Sequence, residues 1–357
     1  MTPTGSPFDV DDVRSRVSSA LGEFLSRQEP VLASISEDLT VLISALADSL
    51  RNGKRLRPAF CWWGWRAAGG GDSDQAMNAA TSLELLQACA LIHDDVMDLS
   101  DTRRGMPAAH KRFAAVHLGQ DWHGDSDQFG AAGAILLGDI CLAWADEMYF
   151  DSGLPAPDLL RGKPVLDIMR TELLAGQYLD IVEQARASGS VDRALRVARY
   201  KSAKYTIERP LHLGATLAGA TPELLEALSG FGLPLGEAFQ VRDDVLGVFG
   251  DPQITGKPAG DDLREGKRTF LIAAAFEAAS AHERQVLTAG LGDPELSQSH
   301  VERLREVIVE TSALSRAEEL IARRTEEALQ ALDRAEADPA AKTVLADLAF
   351  AATSRSG

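Results

Sequence analysis

The chain has 357 residues and 45% of them are hydrophobic, so it can bury a sizeable core, which argues against overall disorder. It carries 36 Lys and Arg against 53 Asp and Glu, and the net charge of −17 argues against a nucleic-acid partner, because phosphate binding needs a basic face. The 3 cysteines show no metal-ligand spacing and fit a reducing compartment, so we expect a cytoplasmic protein.

The N-terminal stretch MTPTGSPFDVDD lacks the basic-then-apolar pattern of a signal peptide. No apolar run approaches the ~18 residues that a membrane span needs, so we expect no stable membrane insertion. Residues 1–8 are predicted to be disordered, and helical periodicity begins at about residue 9. The first predicted helix carries one apolar face, made by Val13, Val17, Leu21 and Phe24.

Strand-like alternation is nearly absent, whereas Ala, Leu, Glu and Arg dominate as far as the C-terminus. Gly- and Pro-rich breaks separate the helices at AAGGGDSDQ (67–75), GQDWHGDSDQFG (119–130), DSGLPAPD (151–158) and GDPQITGKPAGDD (250–262). None of these breaks resembles a flexible linker between domains. We therefore predict one all-α domain over residues 9–353, with roughly ten or more helices.

Two of the predicted apolar helices end in an Asp-Asp pair. Residues 76–98 run without Gly or Pro, long enough for about six helical turns. Residues 223–247 form the second, with an interruption expected near Pro234. Further on, residues 313–337 predict a solvated helix that lies on the core.

The first pair belongs to the stretch LIHDDVMDLSDTRRG, residues 91–105. Asp94 and Asp98 share one helix face at a spacing of four, with Asp95 on the flank, and like charges so placed repel unless a cation neutralises them. Mg²⁺ is suited to this, because it prefers carboxylate oxygens, water and substrate phosphate. With Asp243 and Asp244 on the second helix, the sequence predicts opposite walls of one metal site.

Basic residues accompany both acidic pairs. Arginine forks fit diphosphate oxygens and lysine supplies a point charge, so these clusters predict binding of diphosphate groups. The clusters are Lys54, Arg55 and Arg57; Arg103 and Arg104; Lys201 and Lys204; and Lys257, Lys267 and Arg268.

The motifs GKRLRP, DDVMD followed by RRG, YKSAKY, and FQVRDDVLG with TGKPAGDDLREGKRT occur in this order between residues 53 and 269. Together they resemble those of the trans-isoprenyl diphosphate synthases, the polyprenyl synthetase family. The resemblance implies a single-domain isoprenoid synthase fold, all-α, with helices around a deep central active-site cavity, usually as a homodimer. It also implies head-to-tail (1'-4) condensation of isopentenyl diphosphate with an allylic diphosphate, with Mg²⁺ as cofactor and three ions when substrate is bound.

The resemblance also implies roles for individual residues. Those that match metal ligands or their support are Asp94, Asp95, Asp98, Asp243 and Asp244. Those that match the isopentenyl diphosphate pocket are Lys54, Arg57, Gln87 and Arg104. Those that match allylic diphosphate binding are Arg103, Lys201, Lys257 and Lys267, and those at the reacting end of the allyl chain are Ser202 and Gln240.

Two features depart from the family pattern, and a third position, His93, needs comment. The second acidic motif ends in Gly247 where the family has Asp, and we expect Asp243 to keep the metal and the chain to stay active. An extra polar stretch at about residues 117–130 has no assigned role. His93 precedes the first pair, where an ordinary helix position is the better interpretation.

Ionisation of the allylic C–O bond requires neutralisation of the leaving diphosphate, which Mg²⁺ and the basic residues can supply without a protein nucleophile. The growing chain is expected to run along the first helix, away from Asp94. Cys89 and Ala90 are small where bulky aromatics stop the family's products at fifteen carbons, and Leu86 with Leu83 could form a floor. We therefore predict geranylgeranyl diphosphate (C20) first and a longer polyprenyl product second.

Three other functions remain open at this point. A class I terpene cyclase also uses an aspartate-rich motif and Mg²⁺, but would lack GKRLRP. A non-catalytic subunit of a heteromeric synthase is disfavoured by intact Asp94, Asp98, Asp243 and Lys201. A Mg²⁺-dependent nucleotide hydrolase gives no role to Lys54 or Arg57.

Overall fold

The computed structural model describes residues 7–51, 53–186, 189–251, 260–293 and 295–354. Almost all regular structure in these residues is helical, so the all-α prediction is confirmed. The helices are α1 Val13–Ile35, α2 Thr40–Leu50, α3 Leu56–Ala67, α4 Asp74–Met97, α5 Ala109–Gly119, α6 Ser126–Phe150, α7 Ala156–Arg186, α8 Val191–Val197, α9 Arg209–Leu217, α10 Pro222–Phe249, α11 Asp261–Arg264, α12 Phe270–Ala278, α13 Ala281–Gly290, α14 Gln298–Glu310, α15 Ala313–Arg334 and α16 Pro339–Thr353. Short 3₁₀ helices span Pro7–Asp12 and Glu37–Leu39, and a π-helix spans Ala198–Glu208.

The chain divides into two compact units. The first comprises Met1–Trp62 and Gly71–Leu160, and the second comprises Trp63–Gly70 and Arg161–Gly357. The prediction of one domain over 9–353 stays a prediction. Of the stretch 1–8 that was expected to be disordered, residues 1–6 lie outside the described residues.

In the first unit α4 is a core helix that packs against α6, and α6 packs in turn against α5. The helix begins where the Ser73 side chain accepts a hydrogen bond from the Ala76 backbone N–H, a standard N-cap. Its first five turns carry buried side chains on nearly every face, as expected for a helix surrounded by protein. The prediction of a long uninterrupted helix here is confirmed.

The polar stretch at 119–130 is a shorter loop than predicted, because α6 already begins at Ser126. The Asp125 carboxylate accepts a hydrogen bond from the Gln128 backbone N–H at 2.8 Å and so caps the helix. Trp122 and Phe129 pack around His117, so the loop has a small aromatic core of its own.

Helix α6 is long and apolar enough to cross a bilayer by length and composition, which corrects the expectation that no segment reaches this limit. Its inner face, including Leu137, Cys141 and Trp144, is buried where α6 packs on α4 and α5. A core helix passes the same length and composition test, and the packing accounts for the apolar residues of this inner face.

In the second unit α10 is the central helix and packs against α15 and the π-helix. The predicted interruption near Pro234 is wrong, because α10 continues through it to Phe249. A proline inside a helix costs about 3 kcal/mol or more through a lost hydrogen bond and a ring clash. Burial of Phe231, Leu235 and Ala238 on both sides of the proline offsets that cost.

Candidate active site

The C-terminal end of α4 carries the first acidic motif in the first unit. Asp94, Asp98, Ala90 and Gln87 recur at helical spacing and are all half-buried, so they share one partly accessible face. The helix ends here, with the Asp98 backbone N–H donating to the Asp94 carbonyl at 2.8 Å. Two carboxylates so placed can hold a cation between them.

Among the described residues no group of three or more His, Cys, Asp or Glu side chains forms a metal cage. Mg²⁺ is usually held by one or two carboxylates together with water and substrate phosphates. The pair Asp94 and Asp98 therefore fits Mg²⁺ better than it fits a metal that needs a full protein cage.

Asp95 points away from this face and is buried. Its Oδ1 atom accepts a hydrogen bond from Arg103 Nε at 2.8 Å and contacts Arg103 Nη2 as well. Charge-assisted pairs of this kind fix the direction of a guanidinium. The sequence predicted Asp95 as a supporting metal residue, and the structure gives it the task of orienting Arg103.

The RRG sequence forms the turn of a small antiparallel hairpin between β1 (Thr102–Arg103) and β2 (Met106–Pro107). Arg104 and Gly105, the two central residues, both have positive φ, 53° and 75°. A two-residue turn of this kind requires left-handed backbone at both positions, which glycine adopts without strain. With this turn, Arg104 Nη1 donates a hydrogen bond to the Arg51 carbonyl at 3.0 Å, beside the end of α2.

The GKRLRP sequence leads into α3, with Lys54 exposed and Arg57 half-buried. Arg104 is exposed as a whole residue, but the protein atoms around its guanidinium lower its pKa; Glu84 opposes this shift, and Arg55, Arg103 and Arg57 add to it. The structure thus places two other predicted diphosphate-binding cations, Arg57 and Arg103, within electrostatic range of Arg104. Gln87 lies on α4, as predicted.

Glu84 is a functional candidate that sequence reasoning missed. Its Oε2 atom accepts a hydrogen bond from Arg55 Nη1 at 2.6 Å, and their side chains are only 5% and 7% exposed. Arg55 Nη2 also donates to the Leu50 carbonyl at 2.7 Å, which ties the end of α2 to the start of α3. The sequence signal that could have identified it is a charged side chain, Glu84, within the mostly apolar run SLELLQACAL.

In the second unit Lys201 and Ser202 lie in the π-helix, a rare geometry that is frequent at functional sites. The widened helix is closely packed, because a Cβ placed on Gly176 would lie 2.7 Å from the Lys201 Cα. Lys201 Nζ forms an ion pair with Asp180 Oδ2 at 2.6 Å. Asp180, from α7, was also missed, because nothing in its local sequence links it to Lys201, 21 residues further along the chain.

Helix α10 presents the second acidic motif, with Asp243 exposed and Asp244 buried. Burial raises the pKa of Asp244 well above the ordinary value, the Gln240 hydrogen bond opposes the rise, and the carboxylates of Asp262, Asp243 and Asp180 add to it. Gln240 Nε2 donates to Asp244 Oδ1 at 2.8 Å, so both side chains are engaged with each other. Asp243 is therefore the accessible carboxylate of the pair.

Of the remaining cations, Lys267 forms ion pairs with Glu265 and, at 3.7 Å, with Asp262. Lys257 lies outside the described residues. Metal coordination by both acidic motifs at one site stays a prediction, as do the individual substrate roles.

The predicted chain-length residues differ in their surroundings. Ala90 shares the half-buried face of Asp94, whereas Leu86 and Cys89 are buried. Cys89 Sγ lies 3.8 Å from His93 Nδ1, and burial raises the pKa of its thiol to about 11, with Asp139 adding to the rise.

His93 has a packing role, as expected. Its Nε2 lies 3.0 Å from the Ile135 carbonyl of α6. A Cβ placed on Gly138 would lie 2.8 Å from the His93 Cε1, so the imidazole fills the space beside this glycine. The histidine therefore joins α4 to α6.

Comparison with known proteins gives consistent results. Residues 40–308 match the Polyprenyl synthetase family. Geranylfarnesyl diphosphate synthase of Aeropyrum pernix is 36% identical over 270 residues, 74% of this chain and 78% of that protein. Geranylgeranyl diphosphate synthase of Methanosarcina mazei is 34% identical over 271 residues, 75% of this chain and 76% of that protein.

A solved structure is also closely similar. It is geranylgeranyl pyrophosphate synthase from Corynebacterium glutamicum, complexed with isoprenyl diphosphate and magnesium. The two share 43% sequence identity with a TM-score of 0.93, over 96% of this chain and 99% of that one.

Proposed function

The chain belongs to the polyprenyl synthetase family and is a trans-prenyl diphosphate synthase, and we propose that it condenses isopentenyl diphosphate with allylic diphosphates in a Mg²⁺-dependent, head-to-tail (1'-4) reaction. The observation that carries the proposal is the end of α4. There Asp94 and Asp98 share an accessible face, and Arg103 is held in place by buried Asp95. An acidic pair beside an oriented guanidinium suits a metal-bound diphosphate.

In the proposed reaction, bound Mg²⁺ supplies charge neutralisation for the departing diphosphate. Asp94, Asp98 and Asp243 would hold it, with Asp95 and Asp244 supporting them. The allylic diphosphate is assigned to Arg103, Lys201, Lys257 and Lys267, and the isopentenyl diphosphate to Lys54, Arg57, Gln87 and Arg104. No protein nucleophile is needed, because positioning and electrostatic stabilisation lower the barrier.

Ser202 and Gln240 are assigned to the reacting end of the allylic chain. The hydrogen bond from Gln240 to Asp244 supports an additional role, in which Gln240 positions the second acidic motif. An apolar surrounding is a chemical requirement here, since water would trap the allylic cation.

For the product we propose geranylgeranyl diphosphate (C20). Ala90 is small and lies on the face of Asp94, so it leaves room for a chain longer than fifteen carbons. The C20 name of the Methanosarcina mazei relative supports this choice, and the geranylfarnesyl name of the Aeropyrum pernix relative favours a C25 product as the second candidate.

The test is incubation with labelled isopentenyl diphosphate and C5, C10 or C15 primers, with and without EDTA, followed by chain-length separation. Turnover that EDTA abolishes, with C20 as the longest major product, supports the proposal. Asp94→Asn should remove most activity, whereas Asp101→Asn, an exposed carboxylate paired with Lys111, should not. Absence of turnover with every primer, or a hydrocarbon formed from geranylgeranyl diphosphate alone, would refute it.

A homodimer is part of the proposal. Helix α6 exposes an apolar stripe that includes Phe129, Leu136 and Phe150, and a second copy of the chain would cover it. Leu136→Glu should lower the mass in light scattering from that of two chains to that of one. Leu118→Glu, at an equally exposed leucine of α5, is the control. A dimer that survives Leu136→Glu at micromolar concentration would contradict the assignment of this surface.

A cytoplasmic location completes the proposal. All three cysteines are buried as thiols rather than joined in disulfides, as expected in a reducing compartment.

A further inference from the structure

Gly247 is four residues after Asp243 in α10, so the two share a helix face. In the family pattern a third acidic side chain stands at this position. A Cβ placed on Gly247 would overlap Asp262 Oδ2 and would lie only 2.6 Å from Asp262 Cγ. The carboxylate of Asp262 therefore fills the space in which a side chain at 247 would begin.

Asp262 lies in α11, a different segment of the chain, and is only 9% exposed. Lys267 Nζ is 3.7 Å from its Oδ1, which is too long for a good hydrogen bond, and Lys267 is closer to Glu265. Neutralisation by Lys267 is thus incomplete. A role as a simple ion-pair partner does not account for the position of Asp262 against the backbone of α10.

We propose that Asp262 supplies the carboxylate that the second acidic motif lacks at position 247. Gly247 is the matching half of this arrangement, since only a residue without a side chain lets Asp262 approach α10 so closely. The inference rests on the proposed function, and it makes Asp262 a positioning residue for the Mg²⁺ that Asp243 would hold with the support of Asp244.

The placement of the charges supports this assignment. Asp262 reaches α10 at Gly247, one helical turn after Asp243 and three residues after Asp244. Three carboxylates at one end of α10 repel one another, and a bound cation relieves the repulsion. Gly247→Asp restores the family's aspartate but should impair the site. The new side chain would clash with the Asp262 carboxylate and would add a fourth negative charge.

The experiment compares the wild type with Asp262→Asn, Gly247→Asp, and Gly247→Asp combined with Asp262→Ala. Two readouts are used: the Mg²⁺ concentration for half-maximal activity, and the rise in melting temperature produced by Mg²⁺ with inorganic diphosphate. The matched control is Asp261→Asn, which changes the neighbouring carboxylate in α11.

Asp262→Asn should raise the Mg²⁺ requirement by about 10-fold or more, the usual effect of losing a group that supports metal ligands, and should reduce the thermal shift. Asp261→Asn should stay within twofold. Gly247→Asp alone should be worse than the wild type, and removal of the Asp262 carboxylate in the double variant should recover much of the loss.

Wild-type Mg²⁺ dependence and thermal shift in Asp262→Asn would overturn the inference, as would tighter Mg²⁺ binding in Gly247→Asp alone. If the double variant does not fold, its melting curve without ligand will show it, and Asp262→Asn then decides. A wild-type protein that makes no prenyl diphosphate would refute the proposed function instead, while the thermal shift still tests Asp262.

Discussion

Removal of the Glu84 carboxylate should destabilise the first unit and weaken its substrate pocket together. Glu84 and Arg55 are 5% and 7% exposed at 2.6 Å, so Glu84→Ala leaves a guanidinium buried without its counterion. Breaking a buried pair in this way costs about 3–5 kcal/mol. Glu84 also attracts Arg104, so its loss removes an anchor from a residue assigned to isopentenyl diphosphate.

The assay is urea unfolding of Glu84→Ala and Glu84→Gln, combined with steady-state kinetics. Glu84→Gln keeps an acceptor for Arg55 and should be the milder change. In Glu84→Ala the KM for isopentenyl diphosphate should rise more than the KM for the allylic primer, because Arg55 fixes the start of α3, the helix that carries Arg57. A loss of stability below about 1 kcal/mol, the level of an exposed pair, would show that the pair is not the anchor described here.

Other predictions concern chain length, pH and thiols. Ala90→Phe should shorten the product to C15 or less by chromatography, and an unchanged product would refute the role of this face. Burial lowers the pKa of His212 below the ordinary value of 6.5, so stability is full above that value and falls as the pH decreases; His212→Asn should flatten this slope in melting experiments. Because Cys61, Cys89 and Cys141 are buried and the pKa of Cys89 is raised to about 11, native protein should resist thiol labelling at pH 7, and fast labelling would contradict that burial.

Local sequence predicts the helices and the first acidic motif well, because both depend on near neighbours. Ser73 caps α4, helical spacing puts Asp94 and Asp98 on one face, and both follow from residues a few positions apart. Pro234 was misread for the opposite reason: its local penalty is real, but burial against α15 and the π-helix outweighs it. That burial depends on residues distant in sequence.

The counterions could not be predicted for the same reason. Four cations assigned to substrate or placed beside its pocket are held by a carboxylate that no motif pointed out in that role, and three of the four partners lie on another element. The pairs are Arg55 with Glu84, Arg103 with Asp95, Lys201 with Asp180, and Lys267 with Glu265.

These pairs also bear on how an acidic protein can bind two diphosphates. The chain has a net charge of −17, yet four of the cations assigned to substrate or placed beside its pocket are held by neighbouring carboxylates. A cation positioned in advance loses little side-chain entropy when a phosphate binds, and its carboxylate partner keeps it from folding back elsewhere. The excess of acidic residues is therefore compatible with anion binding, because what the substrate meets is set by local pairing and bound metal rather than by net charge.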